Sequence, residues 1–375
     1  MYLFNYNPDD LKYYHRKYQL LSDKKYYSDC ERNILEDWTE GFVDRDNKII
    51  IEFRDTFHSA FWEFYLHAVF KNNGFILDQS HNRPDFIITA PYLLNIEAVT
   101  SQIKQTGIPE CQRNMNDILS MVTPPWAEPT FYSTLDESIV RLSNSINLKH
   151  NKLINEYSMC DWVQKSTPFA LAVSSYDQVN YGCEYIYSMM ALLYGLYFNI
   201  EDSSFSKKTF INKPGTESHI PLGLFLDNAY EDISGIIFSC TLTLGKLESL
   251  ANSLAGIRNN LVYVIRHDPD DIGTPYKIQV VNQENPEYLE DGLFLFHNPK
   301  AKNKIPLEMF HSAGVYQLIY ENDTIKNSPE IYPLIARISF DKNLERNFLP
   351  YIEQQLMLYN RRDLKDIMDH FRKNF

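Results

Sequence analysis

Short apolar runs of strand length alternate with stretches of helical periodicity along most of the chain, and this alternation constrains the fold more than any other feature. The spacing predicts strands at 49–53, 75–77, 84–89, 93–100 and 168–174. It predicts further strands at 233–240, 261–266, 277–281, 293–296 and 315–320. Helices are expected at 57–71, capped by Thr56 and stopped by Asn72-Asn73-Gly74, and at 135–157, 182–198, 244–257 and 344–375. The first fifty residues read as polar and helical, with apolar positions at helical spacing in 9–21 and 29–42. The expected class is α/β, a mixed sheet flanked by helices. A helical arm (1–50) precedes a core (51–200) built on four or five strands, and an α/β extension with C-terminal helices (201–375) follows. Between 106 and 134 the chain holds Pro109, Pro124, Pro125 and Pro129, and a connection of that length suits a lid or a substrate-facing loop.

Composition narrows the function. At 375 residues and 44% hydrophobic content the chain can bury a core without covalent staples. Its five cysteines are odd in number and never form a C-x-x-C pair, which fits a reducing cytoplasm better than a disulfide framework or zinc cluster. The start, Met1-Tyr2-Leu3-Phe4-Asn5-Tyr6, lacks the pattern of a signal peptide, and the most apolar segment, 187–198, is too short to span a bilayer. A net charge of −13 disfavours broad adhesion to nucleic acid or anionic lipid, but leaves room for an enzyme gripping nucleic acid in a local groove. P-loop, dinucleotide-binding, H-E-x-x-H and G-x-S-x-G motifs are all missing. Gly245-Lys246 fails as a P-loop, having Cys240 where the first glycine belongs.

Three carboxylates stand out. Glu63 lies among Phe61, Trp62, Phe64 and Tyr65, where a charge is costly unless paired, protonated or bound to a cation. Asp85 opens one strand and Glu97 lies late in the next. If these strands form a hairpin about Pro91, residues whose numbers add to 182 face each other, which pairs Asp85 with Glu97. Opposed carboxylates about 5 Å apart repel unless they share a proton or a divalent cation. Hard oxygen donors of this kind suit Mg²⁺ or Mn²⁺.

A helix glutamate, then Pro84-Asp85, then a strand ending Ile96-Glu97-Ala98-Val99, resembles the PD-(D/E)XK nuclease-like superfamily. The stretches 57–66, Arg83-Pro84-Asp85-Phe86 and Phe296-His297-Asn298-Pro299 also resemble an uncharacterised bacterial branch of it. The resemblance covers about residues 50–200. It implies a restriction-endonuclease-like core and a cytoplasmic, metal-dependent phosphodiesterase acting on DNA rather than RNA. A place in bacterial antiviral defence, and a homo-oligomer or protein partner, go with the same likeness. In that reading Glu63, Asp85 and Glu97 hold Mg²⁺ or Mn²⁺. One position departs from the pattern: Val99 stands where the motif has its lysine.

A substitute is expected from the following helix. Arg141, Ser145 and Lys149 recur every four residues and form one stripe, with Lys152 three beyond. Lys149 is the first choice for the missing lysine, ahead of Lys104 and Lys152, while Arg141, Ser145 and Lys152 are expected to contact phosphates. Between 51 and 165, 9 basic residues face 13 acidic ones, short of the footprint of an avid DNA binder. Plainer readings stay open. The stripe would otherwise be the wet face of an amphipathic helix, and Glu63 would pair with Arg54 or Arg83. The whole would then be an inactive nuclease-like scaffold binding nucleic acid or a protein, and Val99 is the best support for that alternative. His58 and His67, which flank Glu63, would be structural histidines.

Overall fold

The computed structural model describes residues 1–375 except 102–107, 109, 176–181, 258, 269, 272, 312–313, 329–331 and 375. Of 361–374 it describes the backbone alone. Helices α1 (Arg16–Ser22), α2 (Asp29–Trp38) and α3 (Ile49–Asp55) share one apolar cluster with α4 (His58–Asn72). Eleven residues of α4 are buried, because it is apolar around its whole circumference. The Trp62 indole, completely buried, donates to the carbonyl of Ala172 at 3.0 Å.

The strand expected at 49–53 is instead α3. A strand would turn Ile49, Ile51 and Phe53 to one side. The helix brings Ile49 and Phe53 together inside and leaves Ile51 exposed. Thr56 does not cap α4 either: its hydroxyl donates back to the Glu52 carbonyl, and Phe57, at φ 65°, makes the turn.

Next come β1 (Ile76–Leu77), β2 (Phe86–Ala90) and β3 (Leu94–Ser101). After them come the short helix α5 (Met115–Ser120) and the long helix α6 (Phe131–Asn155), then β4 (Phe169–Ser175). The Pro-marked stretch therefore contains a helix, opened by a reciprocal cap between Asn114 and Asp117. Helix α7 (Tyr187–Tyr194) is half the length expected. Gly195, at φ 68°, ends it, and the chain continues as β5 (Leu196–Asn199), which pairs with β6 (Ser204–Lys207). A second hairpin joins β7 (Phe210–Asn212) to β8 (His219–Pro221).

The remaining elements are β9 (Gly235–Ser239), α8 (Leu244–Ala255), β10 (Asn260–His267), β11 (Tyr276–Val280), β12 (Phe294–His297) and α9 (Glu308–His311). The chain closes with β13 (Tyr316–Glu321), β14 (Thr324–Ser328), β15 (Leu334–Asp341) and α10 (Glu345–Asn374). The main sheet has eight strands in the order β1-β2-β3-β4-β9-β12-β13-β14. Strands β3, β4 and β9 run parallel, as do β12 and β13, and the other neighbours are antiparallel. The sheet is larger than the four or five strands expected, because β4 pairs on its far side with β9 and carries the sheet across residue 200. Strands β11, β10 and β15 form a separate antiparallel sheet.

The main sheet is covered on both faces, as its parallel centre requires. Ile96, Ala98, Ala170 and Ala172 pack into the cluster of α4. The alternate residues Leu171 and Val173 join Leu142 and Ile146 of α6 in the other cluster. No described helix is long and apolar enough to cross a membrane.

Candidate active site

The β2–β3 hairpin has the register expected from Pro91: Phe86 faces Ile96, Ile87 faces Asn95 and Ile88 faces Leu94. Asp85, one step before β2, follows this register toward Glu97. Its carboxylate accepts the Ala98 backbone N–H at 2.7 Å, and its carbonyl accepts from the Arg45 guanidinium at 2.7 Å. The same guanidinium donates to the carbonyl of His81. Arg45 thus ties the loop before β2 into a fixed shape.

Glu97 is buried on the α6 side of β3. Its Oε1 accepts from two donors, the Lys149 ammonium at 2.5 Å and the Tyr157 hydroxyl at 2.7 Å. Lys149 belongs to α6, and Tyr157 to the turn that follows it. Val99, two residues on along the same face, packs against the apolar cluster of α6. The position of the motif's lysine is therefore filled by packing, while an ammonium from the neighbouring helix reaches Glu97.

Glu63 projects from the middle of α4 and has no hydrogen bond or ion pair among the described residues. Its carboxyl is pushed well above the usual range, first by burial and then by Asp85, with a smaller push from Glu97. Asp85 is raised to about 7, again by burial first and by Glu97 second. Lys149, the Ala98 N–H and Arg45 pull the other way. Burial, then Glu97, pushes the Tyr157 hydroxyl up, so it stays a donor. Three acids and one ammonium from four separate elements thus share one electrostatic neighbourhood. Two of the acids resist ionisation there, and a divalent cation or a retained proton would relieve that frustration.

The rest of the expected stripe does not join them. Arg141 is buried two turns before Lys149, about 12 Å along the helix axis. Its Nε donates to the Glu137 carbonyl, and the acids that act on it are Glu184 and Glu137. A buried guanidinium that interacts with Glu184 and Glu137, two turns from Lys149, is badly placed to meet a phosphate there. Ser145 and Lys152 are partly exposed and make none of the described hydrogen bonds or ion pairs with the three carboxylates. Lys104 lies outside the described residues.

Sequence reasoning missed Tyr157 and Arg45. Tyr157 sits eight positions past Lys149, and that spacing is a helical-face signal. Arg45 lies forty residues before Asp85 and carries no local signal.

His58 and His67 make their contacts with groups other than Glu63. His67 Nδ1 meets the Trp38 carbonyl at 2.7 Å. The Nε2 of His58 lies 3.1 Å from Glu110, in a group with His15 whose donor atoms fall within 4.8 Å of one another. Lys17 stands 2.8 Å from the same Glu110 carboxylate and Arg113 beside it, so that acid is already neutralised by cations. This group offers imidazoles next to an ammonium, a poor match for Mg²⁺ or Mn²⁺, which prefer several oxygens. Comparison of the chain with protein-family models, with curated proteins and with solved structures found no match in any of the three.

Proposed function

We propose that this protein is a divalent-metal-dependent nuclease of restriction-endonuclease-like type that hydrolyses phosphodiester bonds, with DNA as its substrate. One observation carries the reading: the Lys149 ammonium, supplied by α6, reaches Glu97 beside Asp85 although Val99 occupies the usual lysine position. The donor set of Glu63, Asp85 and Glu97 is all oxygen, and two of its members have raised carboxyls. Oxygen donors are what Mg²⁺ or Mn²⁺ prefers, although the three carboxylates do not all meet within 4.8 Å of one another here and would have to draw together on an ion. When bound, such an ion would supply an acidified water and charge stabilisation at phosphorus.

The chain's own residues do the rest. Tyr157 and Lys149 both hold Oε1 of Glu97, which fixes the carboxylate and leaves Oε2 outside these two hydrogen bonds. The Ala98 N–H fixes Asp85 in the same way. Lys149 brings a positive charge to the point where negative charge builds up on a scissile phosphate. A role in bacterial defence against foreign DNA is part of the same proposal.

The test is incubation with plasmid, single-stranded DNA and RNA in Mn²⁺ or in EDTA. Cleavage is expected in Mn²⁺ alone. It should fall at least about 100-fold in Glu97→Ala and in Lys149→Met, and persist in Asp270→Ala, a change in a distant turn. Equal cleavage by wild type and Glu97→Ala would remove the basis of the assignment.

A second reading, an inactive scaffold that binds nucleic acid or a protein, is favoured by Val99 and by the existing Lys149–Glu97 ion pair. It predicts binding without Mn²⁺-dependent cleavage.

A further inference from the structure

Of the four tryptophans, Trp38 and Trp62 are buried and Trp126 is half-buried with its indole N–H on the Leu358 carbonyl. Trp162 alone is exposed, with 38% of its surface open. It lies flat against His81, their ring centroids 4.3 Å apart and their planes only 2° from parallel. A flat aromatic pair whose indole is exposed and whose imidazole is half-buried offers a surface on which another flat ring can stack.

The pair is fastened to the candidate active site from two directions. The Trp162 indole N–H donates to the Arg83 carbonyl at 2.8 Å, two residues before Asp85. Arg45 binds the carbonyls of both His81 and Asp85, so one guanidinium holds the platform and the acid together. In the turn between α6 and β4, Trp162 follows Tyr157, the Glu97 partner, by five residues. The rings therefore sit at the rim of the carboxylate group.

We infer that His81 and Trp162 form a stacking platform for an unpaired nucleobase, so that the substrate of this site is single-stranded nucleic acid or a duplex with a splayed nucleotide. The inference rests on the nuclease reading above for its substrate class. Charge supports it. With a net charge of −13 the chain has little general attraction for phosphates, so affinity must come largely from contacts that do not depend on a basic groove. Base stacking is such a contact, and a paired base inside a duplex has no free face to offer it.

The experiment uses a short oligothymidylate carrying one 2-aminopurine, whose fluorescence drops when it stacks. It is read with the full chain in EDTA, single-stranded and then annealed to its complement. Wild type should quench the single-stranded probe and bind it more tightly than the duplex. Trp162→Ala should abolish the quenching and weaken single-strand binding about tenfold, Trp162→Phe should retain most of both, and duplex binding should not change. Circular dichroism checks that each variant folds. If wild type cleaves DNA in Mn²⁺ but Trp162→Ala binds and quenches like wild type, the platform is wrong and the nuclease reading stands. If quenching depends on Trp162 but no cleavage occurs, the nuclease reading fails and the platform stands. Failure of wild type to bind the single-stranded probe overturns the platform, and cleavage in Mn²⁺ then judges the nuclease reading alone.

Discussion

At the residue scale, two carboxyls are held in a state that water would not permit. Asp85 has an ordinary pKa of 3.8 and is raised here to about 7. Between those values the folded chain keeps a proton that the unfolded chain has released. This group's contribution to stability is therefore complete below about pH 4 and is lost as pH rises through 7. A cation that takes the proton's place reverses the cost, and its binding must expel a proton. Mn²⁺ affinity should accordingly rise several-fold per pH unit from about pH 5.5 to 7 and level off above. Calorimetry in two buffers of different ionisation enthalpy should show proton release. A flat affinity over that range would mean that Asp85 does not meet the ion. Asp85, Glu97 and Lys149 were all legible as candidates, because a carboxylate in an apolar run and a lysine on a helical stripe are costly oddities in any fold. Arg141 was misjudged for a simple reason. Four-residue spacing says that side chains share a face, but not how deep each point on that face lies.

At the scale of elements, the hairpin was readable to the residue. Pro91 at the turn and the alternation Leu94-Asn95-Ile96-Glu97-Ala98 on its far side leave few registers that keep Ile88, Leu94 and Ile96 inside. The segment 49–53 was not readable, since a five-residue run with four apolar positions satisfies strand and helix alike until its neighbours choose. The same ambiguity hid the break between α7 and β5, where only Gly195 marks the change. Its φ of 68° suits glycine, and a Cβ there would lie 2.8 Å from the Lys208 carbonyl. Gly195→Ala should therefore cost about 1–3 kcal/mol, seen as a lower denaturation midpoint in urea. An unchanged midpoint would show that the turn relaxes without strain.

At the scale of the whole molecule, a buried ion group fastens the second sheet to the first. Glu287 is completely enclosed and accepts from Lys246 of α8 at 2.7 Å, from Ser249 at 2.5 Å and from the Arg337 guanidinium of β15 at 2.8 Å. Arg337 in turn donates to the Thr241 carbonyl, just past β9. Against its burial, Arg337 and Lys246 hold the Glu287 carboxyl down to about 2. Its stabilising contribution is present above pH 4.5 and is lost as pH falls toward 2. Glu287→Gln leaves two buried cations short of a partner and should lower stability by about 3–5 kcal/mol, read as an earlier thermal transition near pH 7. A transition unchanged by that substitution would mean that the group does not join the sheets.

None of this network was visible in the sequence, because its members are separated by up to 96 residues and its charged members look like ordinary surface charges. The same limit explains why β14, β15 and the continuation of the main sheet through β9 were missed. Periodicity and local chemistry act over a few residues, so the chain alone determined most helices, most strands, the hairpin register and the short roster of unusual acids. Which strands became neighbours, which charges were enclosed together and which donors joined Lys149 on Glu97 and Asp85 were decided only by the packed fold. Those outcomes depend on burial and on distance in space, and neither is a property of any local stretch of chain.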